Sequence, residues 1–448
     1  YAAKAHILSS AFLGIELQCA RCHDAPYHGT TQEDLYAIAA MLQRKSVTVP
    51  ASSRVPASFF EDKSRESLIE VTLKPDQKIV GRWPFAEVTG VADSPKLDSL
   101  LHDPTDTRER LAALVTTAHN KRFGAVIVNR LWKQLMGVGL VEPVHDWEGA
   151  QPSHPALLAW MARQLVVHDY DLRSIRKLII SSRAYQSEAM GQNALADAER
   201  RWFQAPDPRR LTAEQIVDSM YVTTGTVMDV EELTFVHDGR RDIGNRLTLG
   251  RPSRAWMFAS LNNERDRPSL SLPRAQAVTD VLEAFGWTGS RQNPVVDRDN
   301  APNILQPGIL ANGTLAMTVT RAAHRSALAQ LAVEAVSAEA LVRLVFLRML
   351  ARQPHADELA VFSSALNAGF KDRLVPIEEI KQPPVLPPLR QVTWFNHLRP
   401  DANKIQQEVE RRVRAGPPPD PRLRTAWRES YEDLVWSLLN HAEFVWMP

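Results

Sequence analysis

The sequence predicts a mostly α-helical fold, with a small β insert and long proline-rich or irregular connections. Two observations carry that prediction. Apolar residues recur at helical spacing over most of the chain, Val128, Leu131, Trp132, Leu135 and Met136 forming the clearest stripe. Capping chemistry marks helix starts, Thr31 with Asp34 and Thr212 with Gln215. With 44% hydrophobic and 23% charged residues, the 448-residue chain has the apolar material for a sizeable core, and its length suggests two or three domains.

Residues 1–45 read as helix, motif loop, helix. Ala11, Phe12 and Ile15 suit a first helix ending near Gln18, and Leu35, Ile38, Ala39 and Leu42 continue the helix that Thr31 caps. Residues 46–97 change character: Thr48–Pro50, Leu68–Leu73 and Ile79–Phe85 look like short strands around the turn Lys74-Pro75-Asp76-Gln77. Residues 98–371 form the predicted helical main domain. There Gly137 and Gly139 end the Val128 helix, Ser153 caps the next with Pro155 in its first turn, and Leu172, Ile175, Leu178 and Ile179 mark another. Residues 226–310 are loop-rich and residues 311–370 helical again. Residues 372–425, with Pro383-Pro384, Pro387-Pro388 and Pro417-Pro418-Pro419, suit a polyproline strap or linker. Residues 426–448 hold a closing helix whose Tyr431, Leu434, Val435, Leu438 and Leu439 are apolar enough to dock on the body.

Charge excludes one class of function. The 53 basic residues face 52 acidic ones, a formal net charge of +1, so no basic field favours nucleic acid. The arginines from Arg240 and Arg241 to Arg254 read as solvated surface and ion pairs. No apolar run reaches the roughly 18 residues of a membrane span. The first residues, Tyr-Ala-Ala-Lys-Ala-His, lack both an initiator Met and signal-peptide architecture, so an export signal is expected upstream of this piece.

The two cysteines stand together in Cys19-Ala20-Arg21-Cys22-His23, the C-x-x-C-H pattern of haem c attachment. Thiols at this spacing reach the two vinyl groups of a protoporphyrin, and the adjacent histidine falls under the iron. The expected cofactor is therefore one covalent haem c, held by Cys19 and Cys22, with His23 as the metal ligand. Zinc would need a fourth ligand, and the second cysteine pair of a zinc ribbon is absent. A thioredoxin-like redox pair should follow a strand, whereas the upstream segment reads as helix. A structural disulfide between the two cysteines stays open.

The segment Phe12-Leu13-Gly14-Ile15-Glu16-Leu17-Gln18 into Cys19–Pro26, then Gln32-Glu33-Asp34-Leu35-Tyr36, resembles the haem-motif segment of the planctomycete-type secreted cytochrome c family. Arg122–Trp132, Gly139–Pro143, Pro152–Pro155, Ser181–Gln186 and Arg209–Gln215 are similar to the helical domain that follows in that family. The resemblance covers roughly residues 5–45 and 98–365 and the terminal helix. It implies an exported, periplasmic or equivalent haem protein tied to the breakdown of complex, often sulfated, polysaccharides. It also implies a redox partner protein or an upstream cytochrome segment, and a polysaccharide, as partners. Two departures stand out. Members usually carry more chain before this motif, and the proline-rich insert here is longer than usual.

Residues around the iron are less determined. His28, Met41 and His6 are candidates for the position opposite His23, against surface, core-packing and exposed-helix roles respectively. His119, His145, His154 and His168 lie in the helical domain, His154 at a helix start. Asp24 is expected to accept loop amides. Asn129 and Arg130, beside Arg122, suggest a buried polar network, a propionate contact or a helix-to-helix ion pair. Asp229 and Glu232 form an acidic pair of little specificity for glycosidic acid–base work. Trp83, Trp147, Trp256, Trp287 and Trp394 fall in predicted loops, where they would stack on sugars or anchor the loops. No catalytic residue is assigned. The expected function is electron transfer or haem-based redox chemistry. The alternatives are a haem-bearing glycan- or protein-binding scaffold without turnover, and a haem-independent hydrolase.

Overall fold

The computed structural model describes residues 1–50, 71–231, 233–234, 248–250, 252–261, 272–287, 301–381, 392 and 398–447. Helices dominate, and three two-stranded antiparallel ladders complete the regular structure among the described residues, which is the mostly α-helical fold expected. The chain divides into two compact units, Tyr1–Pro208 and Arg209–Gln292 with Arg298–Met447.

The first unit holds α1 (Ala2–Leu13), α2 (Gln32–Gln43), α3 (Thr107–Thr116), α4 (Lys121–Met136), α5 (Pro155–Val167) and α6 (Leu172–Ile180). The first helix stops at Leu13 rather than near Gln18, because Gly14 takes the left-handed conformation (φ 61°) that ends helices. Ile15 and Leu17 beyond it are buried in alternation with the half-buried Glu16 and exposed Gln18. At α2 the expected capping box forms: the Thr31 hydroxyl accepts the Asp34 amide, and the Asp34 carboxylate takes the Thr31 amide at 2.9 Å. The cap of α5 is His154, while Ser153 donates its hydroxyl to the Leu140 carbonyl at 3.2 Å. One core joins α1, α2 and α3 through Leu13, Leu35, Ile38, Met41, Leu111 and Leu114, with Trp83 and Phe85 laid over it. A second joins α4, α5 and α6 through Val128, Trp132, Met136, Met161, Leu165 and Ile175.

Among the described residues, the β insert shows one short ladder. β1 (Val47–Thr48) pairs with β2 (Lys78–Ile79), Val47 opposite Ile79. The predicted turn is present: the Gln77 amide donates to the Lys74 carbonyl at 3.2 Å, and Asp76 sits at φ 64°. Residues 80–85 are irregular rather than strand, and Leu68–Glu70 of the other expected strand lie outside the described residues.

In the second unit, the helices of eight residues or more among the described residues are α7 (Ala213–Thr224), α8 (Pro273–Ala284), α9 (Leu305–Asn312), α10 (Ala327–Glu334), α11 (Ala338–Leu350), α12 (Ala356–Asn367), α13 (Ala402–Ala415) and α14 (Thr425–Leu439). The Thr212–Gln215 box caps α7 as expected. One core gathers Ile216, Met220, Val281, Leu341, Val345 and Phe346 with Tyr431, Leu434, Val435 and Leu438 of α14, so the closing helix docks on the body of its own unit. Within the proline-rich stretch, α13 is a helix rather than strap. Its Gln, Glu and Arg residues are strong helix formers, and Ile405 and Val409 stand four apart on one face. Pro383–Pro388 lie outside the described residues.

Candidate functional site

Cys19–Arg21 form one 3-10 turn, after which the Cys22 and His23 amides donate to the Cys19 carbonyl at 3.0 and 3.2 Å. Residues three apart in such a turn eclipse, so Cys19 and Cys22 share a side. Both thiols are free and exposed. Ala20 between them is buried and anchors the turn in the first core. The Tyr36 hydroxyl of α2 donates to the Arg21 carbonyl at 3.1 Å, and burial raises its pKa, which keeps the proton for that bond.

The His23 ring is oriented from outside. Its Nδ1 lies 2.7 Å from the Asp24 carbonyl oxygen. A carbonyl only accepts, so Nδ1 carries a proton, and in the neutral ring the lone pair falls to Nε2. The Asp24 carboxylate accepts the Gln32 amide at 2.7 Å and the Thr72 hydroxyl at 3.0 Å, the loop-holding role expected of it. Gln32 in turn accepts the Thr72 and Leu73 amides at 3.2 and 3.1 Å, tying the β insert to the start of α2.

Three of the sequence's candidates have other partners. His6 is buried, not exposed, with Nδ1 3.1 Å from the Glu16 carboxylate. Burial alone would raise Glu16, but hydrogen bonds from His6 and the Gln18 amide outweigh it and hold the carboxyl below its ordinary range. His28 Nε2 lies 2.6 Å from Asp146. Met41 is core. His168 caps α5 through the Gln164 carbonyl at 2.8 Å, and His119 is exposed. Among the described residues, no three or more His, Cys, Asp and Glu side chains are grouped to hold a metal ion.

Arg122, Asn129 and Arg130 serve backbone. Arg130 donates to the Ala11 and Ser10 carbonyls at 3.0 Å each, and Arg122 to Leu13 at 2.8 Å. The last turn of α1 has no basic residue of its own, so these two guanidiniums of α4 neutralise its carbonyl end. Arg122 also lies 4.4 Å over the Trp147 ring, and burial lowers its pKa. Asn129, fully buried, pairs both backbone groups of Val141, at 2.8 and 3.0 Å. Sequence reasoning missed the contacts of Arg122 and Arg130 because their targets lie more than a hundred positions away. Trp83, Trp147 and Trp287 are buried in the cores beneath their loops, which is the loop-anchoring alternative for them; Trp256 is exposed on the helix Ala255–Leu261. Asp229 is bonded to Arg274, and Glu232 and Trp394 lie outside the described residues.

Residues 107–366 match the model of PSD1, a protein family of unknown function (DUF1553). The chain belongs to the PSD1 family. Residues 2–46 match a second model, PSCyt2, also of unknown function (DUF1549). No curated protein and no solved structure matches the chain. The PSD1 match begins with the first residue of α3, and the PSCyt2 match takes in α1, the cysteine turn and α2.

Proposed function

We propose that this chain is a mono-haem c-type redox module that works outside the cytoplasm. One arrangement supports the reading: two free, exposed thiols on one side of a turn, followed by a histidine whose Nδ1 is committed to a carbonyl. Thioether formation needs reachable thiols, and an iron ligand needs an Nε2 lone pair with the ring fixed by its other nitrogen. The residues present fit the group on both counts. Cys19 and Cys22 would hold the porphyrin edge, and His23 the iron. When bound, haem c supplies a one-electron iron couple. The chain's own part is positional. Tyr36 pins the turn, Asp24 ties it to α2, and Arg122 and Arg130 fix the helix that leads into it. The resemblance to planctomycete-type secreted cytochromes supports complex polysaccharide breakdown as the setting, with a redox protein or an upstream cytochrome segment exchanging electrons.

The test is covalent attachment. The chain is exported in a host with c-type maturation machinery, run on a denaturing gel and stained for haem peroxidase activity. A stained band in the unaltered chain, absent in Cys19→Ala/Cys22→Ala, is expected. An unstained band in the unaltered chain overturns the proposal and leaves the disulfide reading in its place.

A further inference from the structure

We propose that the second unit carries a binding site for a small organic anion, one bearing a carboxylate, sulfate or phosphate group. It is independent of the haem reading. A cavity of about 690 Å³ opens between the end of α7, the start of α10, α11 and the chain before α14. That volume suits a small organic molecule rather than a bare ion. Arg325, Arg348 and Arg422 line it, with His324, Gln330 and Glu334.

The three guanidiniums differ in how they are held. Arg422 forms a two-pronged pair with the fully buried Asp420 at 2.9 and 2.8 Å, which fixes its plane. Arg348 donates to the Val222 and Thr223 carbonyls at the end of α7, which orients the group without neutralising it. Arg325 has no hydrogen bond or ion pair among the described residues, and its backbone is held in the left-handed region at φ 66°. A non-glycine residue rarely adopts that conformation, and such positions cluster at ligand sites. Against three arginines stand Glu334 at the wall and Asp420 behind it, so the cavity is cationic before His324 is considered.

Gly225 shapes the wall. It ends α7 at φ 67°, and a Cβ there would lie 2.3 Å from Ala327 Cβ and 2.8 Å from the Ala327 amide. Only glycine lets the two helix ends meet this closely. Two fixed guanidiniums and one free one around a common space form a fork for an oxyanion. Glu334 supplies an acceptor for a hydroxyl on the remainder of the ligand.

Calorimetric titration of the full chain with sulfate, phosphate and acetate, each against chloride at equal ionic strength, tests the site. Saturable one-to-one binding of at least one of them is expected, and the arm that binds best names the group. Arg325→Gln should weaken that binding about tenfold or more. Its thermal unfolding without anion should be unchanged, since the side chain has no partner to lose among the described residues. Glu334→Gln should tighten binding by removing the one acid on the wall. Binding no stronger than chloride for all three ions overturns the proposal, as does an Arg325→Gln variant that binds like the unaltered chain.

Discussion

Gly14→Ala is the substitution whose cost the structure states most completely. Gly14 sits at φ 61°, where an L-residue pays roughly 1–2 kcal/mol. An added Cβ would also lie 2.9 Å from Trp147 Cδ1 and 3.0 Å from its Cγ. That ring has little freedom to yield. Its Nε1 donates to the Val144 carbonyl at 3.2 Å, Arg122 covers it at 4.4 Å, and the Trp147 amide donates to the Gly14 carbonyl at 2.9 Å. Overpacking of this kind costs about 1–3 kcal/mol, so the whole change is worth about 2–5 kcal/mol. Gly90→Ala is the internal control: Gly90 has φ 73° and nothing within 4 Å of its would-be Cβ, so it carries only the conformational part. Native-state hydrogen exchange, read on amides of α1 and α4, localises the effect to the first unit, where a global melt would mix two units. Gly14→Ala should lower protection there by more than Gly90→Ala does. Equal losses would refute the argument that Trp147 is a fixed wall.

Asn129→Leu leaves the Val141 amide and carbonyl unpaired in the interior and should cost about 2–4 kcal/mol in urea denaturation of the first unit; a loss below about 0.5 kcal/mol would contradict the pairing. Arg373→Met removes donors to the Ala332, Val333, Ala335 and Phe370 carbonyls from a buried guanidinium and should destabilise the second unit by about 3–5 kcal/mol, read as protection of α10 amides. For pH, Arg352 hydrogen-bonds Glu358 and holds its carboxyl down from 4.5 to about 2. A depressed acid stabilises the fold above its unfolded pKa and loses that stabilisation as pH falls through the folded value, so the second unit should weaken between about pH 4.5 and 2. The shift is worth at most ~3.4 kcal/mol, and partial exposure reduces this to about 1–2 kcal/mol. Glu358→Gln should flatten that segment of the stability–pH curve, and an unaltered slope would show that the pair does not carry it.

The parts legible from sequence were those governed by neighbours in the chain. The boxes at Thr31 and Thr212, the Val128 stripe and the turn at Lys74–Gln77 each depend on residues within four positions, so their chemistry was visible. The end of α1 was missed because Ile15 and Leu17 prolong an apolar run that does not distinguish helix from an irregular segment buried on alternate residues. His6 was misplaced for a related reason. Helix α1 buries Ser9 and Ser10 as well as Leu13, so no polar face marks which side is wet. For the loop tryptophans, sequence left sugar stacking and loop anchoring both open, because a loop crossing a core can turn its indole inward or leave it in water. In 402–415, flanking prolines masked a run of good helix formers. At the cysteines, the spacing placed both thiols in one short turn, while the Tyr36 and Asp24 contacts that hold the turn needed coordinates.

The boundaries of the family matches and of the physical units do not coincide, and the difference bears on how the motif is held. The PSCyt2 match ends at residue 46 and the PSD1 match begins at residue 107, yet the first falls wholly and the second partly in the unit Tyr1–Pro208. Leu111 and Leu114 of α3 share a core with Leu13, Leu35 and Ile38, and the carbonyl end of α1 is closed by Arg122 and Arg130. The Ser10 hydroxyl reaches the His145 carbonyl at 2.9 Å, and Trp147 rests on Gly14. A fragment cut after residue 46 would keep Cys19, Cys22 and His23 but lose every one of these partners. Its α1 carbonyls would return to water and its apolar face would open, at a cost that a 12-residue helix cannot recover from propensity alone. The cysteine turn is thus built by residues on both sides of the gap between the two matches, and its geometry belongs to the first unit as a whole.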